Sequence, residues 1–427
     1  MSKVKQISAP KGTKDILPGQ IERWQYVESA FRNIASKYGF TEIRTPVIEH
    51  TELFSRGIGD TTDVVEKQMY TFEDYGGRCI TLRPEGTAGV ARAYIENKLY
   101  ADVKPLKLWY EIACFRYEKP QSGRLREFHQ FGVEIFGSHN MLADAEVIAI
   151  GDEFLRGLGI TNLSLRINSI GCPSCRPVYR KQLMEYFADH LEELCDTCKS
   201  RYDRNPMRIF DCKSKVCQNI ASDAPVMLDS LCTECSSDFS ELQDNLNAMN
   251  VVFEIDSRIV RGLDYYTKTA FEFVSGSIGA QDAVCGGGRY DHLLKNIGGD
   301  DIPGVGFGLG IERLLMVLEA ADIKFPSASL PDVVIVSMGE QAKRTSLQLL
   351  KELRSCGISA EMDDCYRNIK GQLKYADKRG AGFTLIIGDD ELTSGSIKIR
   401  DMRSGEQKEC GFTEITKVLD DMIKENT

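Results

Sequence analysis

At 427 residues the chain exceeds one ordinary domain and fits two to four. Its 42% hydrophobic and 27% charged residues are those of a globular protein with a core of normal size. A net charge of −10 argues against wholesale coating of nucleic acid, though not against a local basic patch, and without a run of 18 apolar residues no membrane helix is expected.

The opening stretch, MSKVKQISAPKGTKDILP, has no apolar segment of signal-peptide length, so a cytoplasmic location is the expectation. Residues 20–38 carry apolar groups at helical spacing and run into Gly39, a helix stop. Pro46 keeps 44–48 extended. Residues 87–97 follow Pro84-Glu85-Gly86 and predict a helix. Two β-rich runs, LKLWYEIACFRY and EFHQFGVEIFG, flank the polar loop EKPQSGRLR, which predicts an antiparallel hairpin with a long, basic, mobile loop. A helix over 142–157 and a strand over 163–167 follow. A cysteine-rich stretch at about 170–240 then interrupts the pattern like an insertion. Strands resume at 251–256 and 269–275, CGGGRYD at 285–291 predicts a Gly-rich turn, and GVGFGLG at 304–310 leads into the helix IERLLMVLEA. KFPSASLP at 324–331 is the predicted linker. Beyond it strands and helices alternate (VVIVSM, ISAEMD and FTLIIG with two helices between), which predicts a small α/β domain with parallel pairing.

Several of these segments carry chemistry. Arg116, Glu118, Arg124 and Arg126 flank or sit in the hairpin loop, and His129, Gln130 and Glu134 lie on the returning strand. Guanidinium groups beside a sheet suit a triphosphate, which they hold in a two-pronged way. Taken alone, the same charges also describe a solvated hairpin. Glycines 304, 306, 308 and 310 let a flat group approach the backbone, and Arg313, one turn into the next helix, reaches back over that floor. No Gly-Lys-Ser/Thr follows, so this is not a Walker loop.

TPVIE around Pro46, FRYEKPQSGRLREFHQ and GVGFGLGIERLL resemble, in order and separation, the three signature motifs of class II aminoacyl-tRNA synthetases. RGLDYYT at 261–267 and AVCGGGRYD at 283–291 resemble the two histidine-specific motifs of the bacterial-type histidyl-tRNA synthetase family. APKGTKDILP and TLRPEGT are similar to that family too, so the resemblance covers nearly the whole chain. It implies an α+β catalytic domain with a mostly antiparallel sheet (1–169 and 241–325), an inserted small domain (170–240) and a C-terminal anticodon-binding α/β domain (331–427). It also implies a homodimer that ligates L-histidine to tRNA(His), using ATP with Mg2+ and passing through histidyl-adenylate. By the same resemblance Glu85, Gly86 and Thr87 would hold the α-amino end of histidine, while Gln130, Glu134, Tyr265, Tyr266 and Tyr290 would face the rest of it. Arg116 and Arg261 would serve the reacting α-phosphate. Arg116, Glu118, Arg124, Gly308 and Arg313 would bind ATP. If 265–266 is strand, its two tyrosines face opposite sides and one of them is core.

Eight cysteines fall in 172–235: Cys172-x2-Cys175, Cys195-x2-Cys198, Cys212-x4-Cys217 and Cys232-x2-Cys235. Paired thiolates at such spacing suit a structural Zn2+, as one four-cysteine site with spare thiols or as two sites; the plain alternative is a set of buried or free thiols. In RNIKGQLKYADKR, Arg367, Lys370, Lys374 and Lys378 form a basic stripe. It could meet tRNA phosphates or simply be a solvated face. Two other readings compete. One is a non-catalytic relative similar to the regulatory subunit of ATP phosphoribosyltransferase, disfavoured because Arg116, Arg261, Arg313 and the C-terminal region are present. The other is a zinc-dependent nucleic-acid-binding module, which explains only 170–240.

Overall fold

The structure, a computed structural model, describes residues 4, 6–59, 62–101, 103–276, 283–326, 330–365 and 367–426. It divides into two units, Met1–Pro326 and Ser327–Thr427. Part of the expected linker, 327–329, lies outside the described residues.

In the first unit, helix α1 (Ile21–Lys37) forms because Trp24, Val27, Phe31, Ile34 and Ala35 make one buried stripe. Gly39 ends it at φ +75°. The strands, in chain order, are β1 (Thr41–Glu42), β2 (Ile48–His50), β3 (Tyr70–Glu73), β4 (Cys79–Leu82), β5 (Leu106–Phe115), β6 (Glu127–Phe136), β7 (Ser164–Ser169), β8 (Glu254–Ile255), β9 (Thr267–Val274), β10 (Ala283–Arg289) and β11 (Gly304–Gly310). Eight of them form one sheet in the order β1-β5-β6-β11-β10-β9-β7-β8, antiparallel throughout its centre and parallel only at its two edges. Strands β2, β4 and β3 form a separate antiparallel sheet.

Period-two alternation splits the large sheet into two faces. Phe131, Val133 and Ile135 of β6 and Val305, Phe307 and Leu309 of β11 join the core under α1, α4 (Met141–Gly157), α8 (Thr233–Ala248) and α10 (Ile311–Ala320). The opposite face carries Tyr110, Ile112 and Cys114 of β5 and is closed at one end by α2 (Thr51–Ile58), α3 (Thr87–Glu96) and α9 (Leu293–Asn296). The first face is core and the second is left for chemistry.

CGGGRYD is not the expected turn. Its residues 285–289 lie in β10, a central strand between β9 and β11. Glycine is demanded there by packing: a Cβ on Gly287 would sit 2.6 Å from Cβ of Phe307 and 2.8 Å from the Phe271 ring.

Between β7 and β8 the chain forms α5 (Cys175–Ala188), α6 (Asp196–Arg204), α7 (Lys215–Ser222) and α8. Tyr179, Leu183, Phe187 and Ile209 make a small separate core there, together with five buried cysteines. Helix α8 crosses the expected boundary at 240, because Phe239, Leu242 and Leu246 pack into the main core while Cys235 stays in the small one.

The second unit alternates as its sequence pattern predicts: β12 (Val333–Ser337), α11 (Glu340–Ser355), β13 (Ala360–Met362), α12 (Ile369–Arg379) and β14 (Phe383–Ile387), with β12 parallel to both neighbours. A further stretch escapes that pattern: α13 (Asp389–Ser394), the antiparallel strands β15 (Ser396–Asp401) and β16 (Gln407–Gly411), and α14 (Ile415–Asn426).

Candidate active site

The open face of the large sheet has a deep end and a charged end. At the deep end Glu134 of β6 is wholly buried. Tyr110 donates to its Oε1 at 3.0 Å and Tyr290 donates to its Oε2. Burial pushes the Glu134 carboxyl up to about 8, against hydrogen bonds from Tyr290, Thr87 and Tyr110 that favour its ionised form. Glycines make the space. Gly132 lies opposite Tyr110, Gly306 opposite Glu134 and Gly304 against Tyr290, and a Cβ at any of the three would strike that side chain.

Tyr265 and Tyr266 complete the pocket. They lie in the turn before β9, not in a strand, so both rings can point the same way. Both are buried, with centroids 4.6 Å apart, and Tyr265 meets Tyr290 edge-on at 5.5 Å. The segment is not strand, so the opposite-face argument does not apply, and both rings join the buried cluster on this face of the sheet. Burial pushes the hydroxyls of Tyr110, Tyr265 and Tyr290 well above the usual tyrosine range, so all three stay protonated donors.

Glu85 sits at the start of α3. Its carboxylate accepts the backbone N–H of Thr87 at 2.7 Å and of Ala88 at 2.9 Å, capping the helix. Burial raises its pKa while those two amides oppose the rise. Gly86 gives the Tyr110 ring room.

Arg261 stands between the two ends. It is ion-paired with Glu272 of β9, and its guanidinium lies over the Tyr266 ring at 5.4 Å. Gly286 of β10 leaves the space it fills. At the charged end Arg116 donates Nε to the Pro84 carbonyl at 2.8 Å and covers Phe128 at 5.3 Å. Arg124 pairs with Glu118 at 2.9 Å. Arg313 donates to the Gly123 carbonyl at 3.2 Å and the Ala283 carbonyl at 2.8 Å. Burial lowers the pKa of Arg313, and the positive charges of Arg124 and Arg116 lower it further. A buried guanidinium with two others close by makes a place for an anion. Beside them Gly308 is spacious: a Cβ there would meet only Gln130 Nε2, at 3.4 Å. A flat group fits over that glycine where it would not fit over Gly306.

Among the family models, one described as Histidyl-tRNA synthetase matches residues 12–174 and 180–314, and one described as Anticodon binding domain matches 332–422. The histidine–tRNA ligase of Caldanaerobacter subterraneus subsp. tengcongensis is 53% identical over 411 residues, 96% of this chain and 99% of that protein. The chain belongs to the histidyl-tRNA synthetase family. The histidine–tRNA ligase of Clostridioides difficile is 52% identical over 412 residues, 96% of this chain and 98% of that protein. The crystal structure of apo S. aureus histidyl-tRNA synthetase matches with a TM-score of 0.82 at 39% identity, covering 97% of this chain and all of that one. The class II synthetase-like fold, a mostly antiparallel catalytic sheet with a separate C-terminal α/β unit, follows from these matches and the strand order together.

Glu85, Gly86, Thr87, Gln130, Glu134, Tyr265, Tyr266, Tyr290 and Arg261 thus gather on one face of the sheet, with Arg116, Glu118, Arg124, Arg313 and Gly308 beside them. His129 goes elsewhere. It faces the core side, edge-on to Trp24 at 5.0 Å and 2.9 Å from Glu312. Sequence reasoning did not single out Tyr110 or Glu272. Tyr110 pairs in register with Gly132, a signal legible only once the hairpin register is known. In the second unit Lys370, Lys374 and Lys378 are exposed, but Arg367 is ion-paired with Asp363 and Arg379 with Glu361. The eight clustered cysteines fall into two groups, 172/175/232/235 and 195/198/212/217.

Proposed function

We propose that this family member activates L-histidine with ATP in the pocket just described and transfers it to tRNA(His). The observation that carries the reading is the shared sheet face, with a buried carboxyl and three tyrosines at one end and Arg116, Arg124 and Arg313 at the other. Glu134 and the tyrosine hydroxyls bind the imidazole nitrogens. A histidine-shaped rival without those nitrogens would leave buried polar groups unpaired, which is how such sites discriminate. Glu85, Gly86 and Thr87 take the α-amino end, and Gln130 faces the bound histidine beside Glu134.

ATP enters as its magnesium complex. Its base lies over Gly308, and its phosphates meet Arg124 and Arg313, with Glu118 beside Arg124. Arg116 and Arg261 converge on the α-phosphate. A histidine carboxylate oxygen attacks that phosphorus in line, the bond to the bridging oxygen breaks, and pyrophosphate leaves. The 3′-terminal ribose hydroxyl of tRNA then attacks the activated carbonyl, and AMP departs. No side chain forms a covalent bond. Positioning and fixed positive charge do the chemistry.

Anticodon contact falls to the second unit, through Lys370, Lys374 and Lys378 with Arg367 beside them. The inserted segment, 170–240, clamps the acceptor arm and carries structural zinc. A homodimer forms around Pro46, where Val47, Ile48 and Phe72 are 39%, 51% and 45% exposed. No helix among the described residues is long and apolar enough to cross a membrane, and a cytoplasmic location accompanies the reaction. The test is aminoacylation of total tRNA with each amino acid in turn. Charging with histidine alone is the expected result; charging with another amino acid, or none with intact protein, overturns the reading.

A further inference from the structure

The inserted segment has a core too small to stand by itself, and much of it is thiol. Its cysteines do not pool. Cys172 and Cys175 meet Cys232 and Cys235, while Cys195 and Cys198 meet Cys212 and Cys217, each group with all four sulfurs within 4.8 Å of one another. Individual separations are 3.6 Å for Cys172–Cys175, 3.9 Å for Cys172–Cys232 and 3.7 Å for Cys195–Cys212. A disulfide needs about 2.05 Å. Four thiolates at about 2.3 Å from one zinc stand about 3.8 Å apart at tetrahedral corners, which is the spacing seen. Backbone amides point at the sulfurs, as they do around thiolate ligands: Cys232 N–H to Cys175 at 3.1 Å, Cys195 N–H to Cys217 at 3.3 Å and Ser214 N–H to Cys212 at 3.4 Å. Each group joins two chain segments that are distant in sequence, Cys172–Cys175 with Cys232–Cys235 and Cys195–Cys198 with Cys212–Cys217.

The first group sits at the neck, where the segment leaves β7 and returns through α8. Its two halves grip the backbone that follows the tyrosine pair. Ile170 N–H donates to the Lys268 carbonyl at 2.7 Å, and Lys268 N–H donates to the Gly171 carbonyl at 3.0 Å. Arg176, next to Cys175, donates to the Tyr266 carbonyl. The Lys268 ammonium reaches Glu234 at 2.8 Å and Asp238 at 2.7 Å, from the other half. Lys268 is held at φ +49°, a left-handed conformation costly for a side-chain-bearing residue, so these contacts are what keep it there. Arg176 also offsets the net negative charge of a four-thiolate centre, since its guanidinium interacts with Cys172 and Cys175.

We propose that this chain carries two zinc ions, one on Cys172, Cys175, Cys232 and Cys235 and one on Cys195, Cys198, Cys212 and Cys217, and that the neck ion fixes residues 266–268 behind the tyrosine pair. The first half stands by itself; the second gains its functional meaning from the histidine-pocket reading. The test uses full-length protein purified without chelator. Elemental analysis is expected to give two zinc per chain, with one left in Cys232→Ser/Cys235→Ser and one left in Cys212→Ser/Cys217→Ser. Fewer than about 0.2 zinc per chain, iron in its place, a single zinc in the unmutated chain, or loss of all zinc in either double variant overturns the two-site assignment. X-ray absorption of the unmutated protein guards against misfolded variants: four sulfurs at about 2.3 Å support it, and nitrogen or oxygen ligands overturn it. For the second half, amide hydrogen exchange at Lys268 is expected to quicken at least ten-fold in the neck variant and less than two-fold in the other. Equal rates in both overturn the buttress. That measurement needs neither histidine nor tRNA, so it fails or holds separately from the enzymatic reading.

Discussion

Replacing Glu134 by glutamine should make the catalytic unit more stable at alkaline pH and a poorer binder of histidine. The side chain keeps its shape, and one amide oxygen still accepts a tyrosine hydroxyl. What goes is the titration. The carboxyl has an ordinary value of 4.5 and a folded value of about 8, set first by burial. A carboxyl raised in this way holds its proton in the folded protein after the unfolded chain has lost its own. The stability it lends is complete below pH 4.5 and drains away as pH rises to about 8. At about 1.4 kcal/mol for each unit, the loss is about 5 kcal/mol at most. The amide has no proton to lose. Denaturant unfolding of both proteins at pH 5, 7 and 8.5 isolates the effect, because every other titrating group is shared. The difference should move in the variant's favour by at least about 2 kcal/mol across that range, a conservative fraction of the full linkage. Histidine should pull the other way. Once the carboxyl is ionised, above about pH 8, a hydrogen bond to it is worth about 1.5–3 kcal/mol, so KM for histidine at pH 8.5 should rise by roughly 10- to 100-fold while KM for ATP holds. A stability difference flat from pH 5 to 8.5 would refute the buried-carboxyl argument.

Arg261→Ala should lower histidine-dependent ATP–pyrophosphate exchange by about 100-fold or more, the usual loss of one fixed transition-state charge, with tRNA binding kept. Because it also strands Glu272, the double variant with Glu272→Gln should recover stability but not rate; near-normal exchange in either would sink the role. Changing Lys370, Lys374 and Lys378 together to Ala should weaken tRNA binding and reduce the slope of log affinity against log salt by about two, at somewhat under one per phosphate contact. Arg367→Ala alone should do less, since Asp363 already holds that guanidinium. Ile48→Asp should convert a dimer to a species of half the mass in light scattering, and an unchanged mass would place the interface elsewhere.

The sequence made period and punctuation legible. Helix α1, the β5–β6 hairpin, α4, β11–α10 and the β12–β14 alternation all follow from apolar spacing bounded by glycine or proline. It misled where a glycine run looked like a turn. CGGG is a strand because its neighbours are Phe271, Phe307 and Arg261, partners distant in sequence or on other strands. It was silent where strands are polar: QKECG is exposed and has no alternation to read, yet it completes the second sheet as β16. Cysteine spacing could point to metal but not to pairing, since the nested groups found and a grouping of neighbouring pairs have the same spacing along the chain.

The site is assembled by strand register rather than by any local pattern. Arg116 and Arg124 share the β5–β6 hairpin loop while Arg313 comes from α10, nearly 190 residues on, and nothing local says that it faces them. What places them is the register of β6, β11 and β10, and glycines fix that register on the open face. Gly306 is opposite Glu134, Gly286 lies under Arg261, and Gly304 lies under Tyr290. Each missing Cβ is the negative image of one functional side chain. A run read as GVGFGLG therefore encodes two surfaces at once. Val305, Phe307 and Leu309 build the core, and the intervening glycines hold open the sockets for residues contributed elsewhere. The last of those glycines before the helix, 308 and 310, have no side chain pressed into them closer than 3.4 Å, and that is where the proposed ATP base goes. RGLDYYT gains sense in the same way. Its arginine and second tyrosine stack on each other over Gly286 and Gly288 of one strand, so the residue proposed to serve the phosphate and the residue proposed to read the amino acid are positioned by a single packing arrangement.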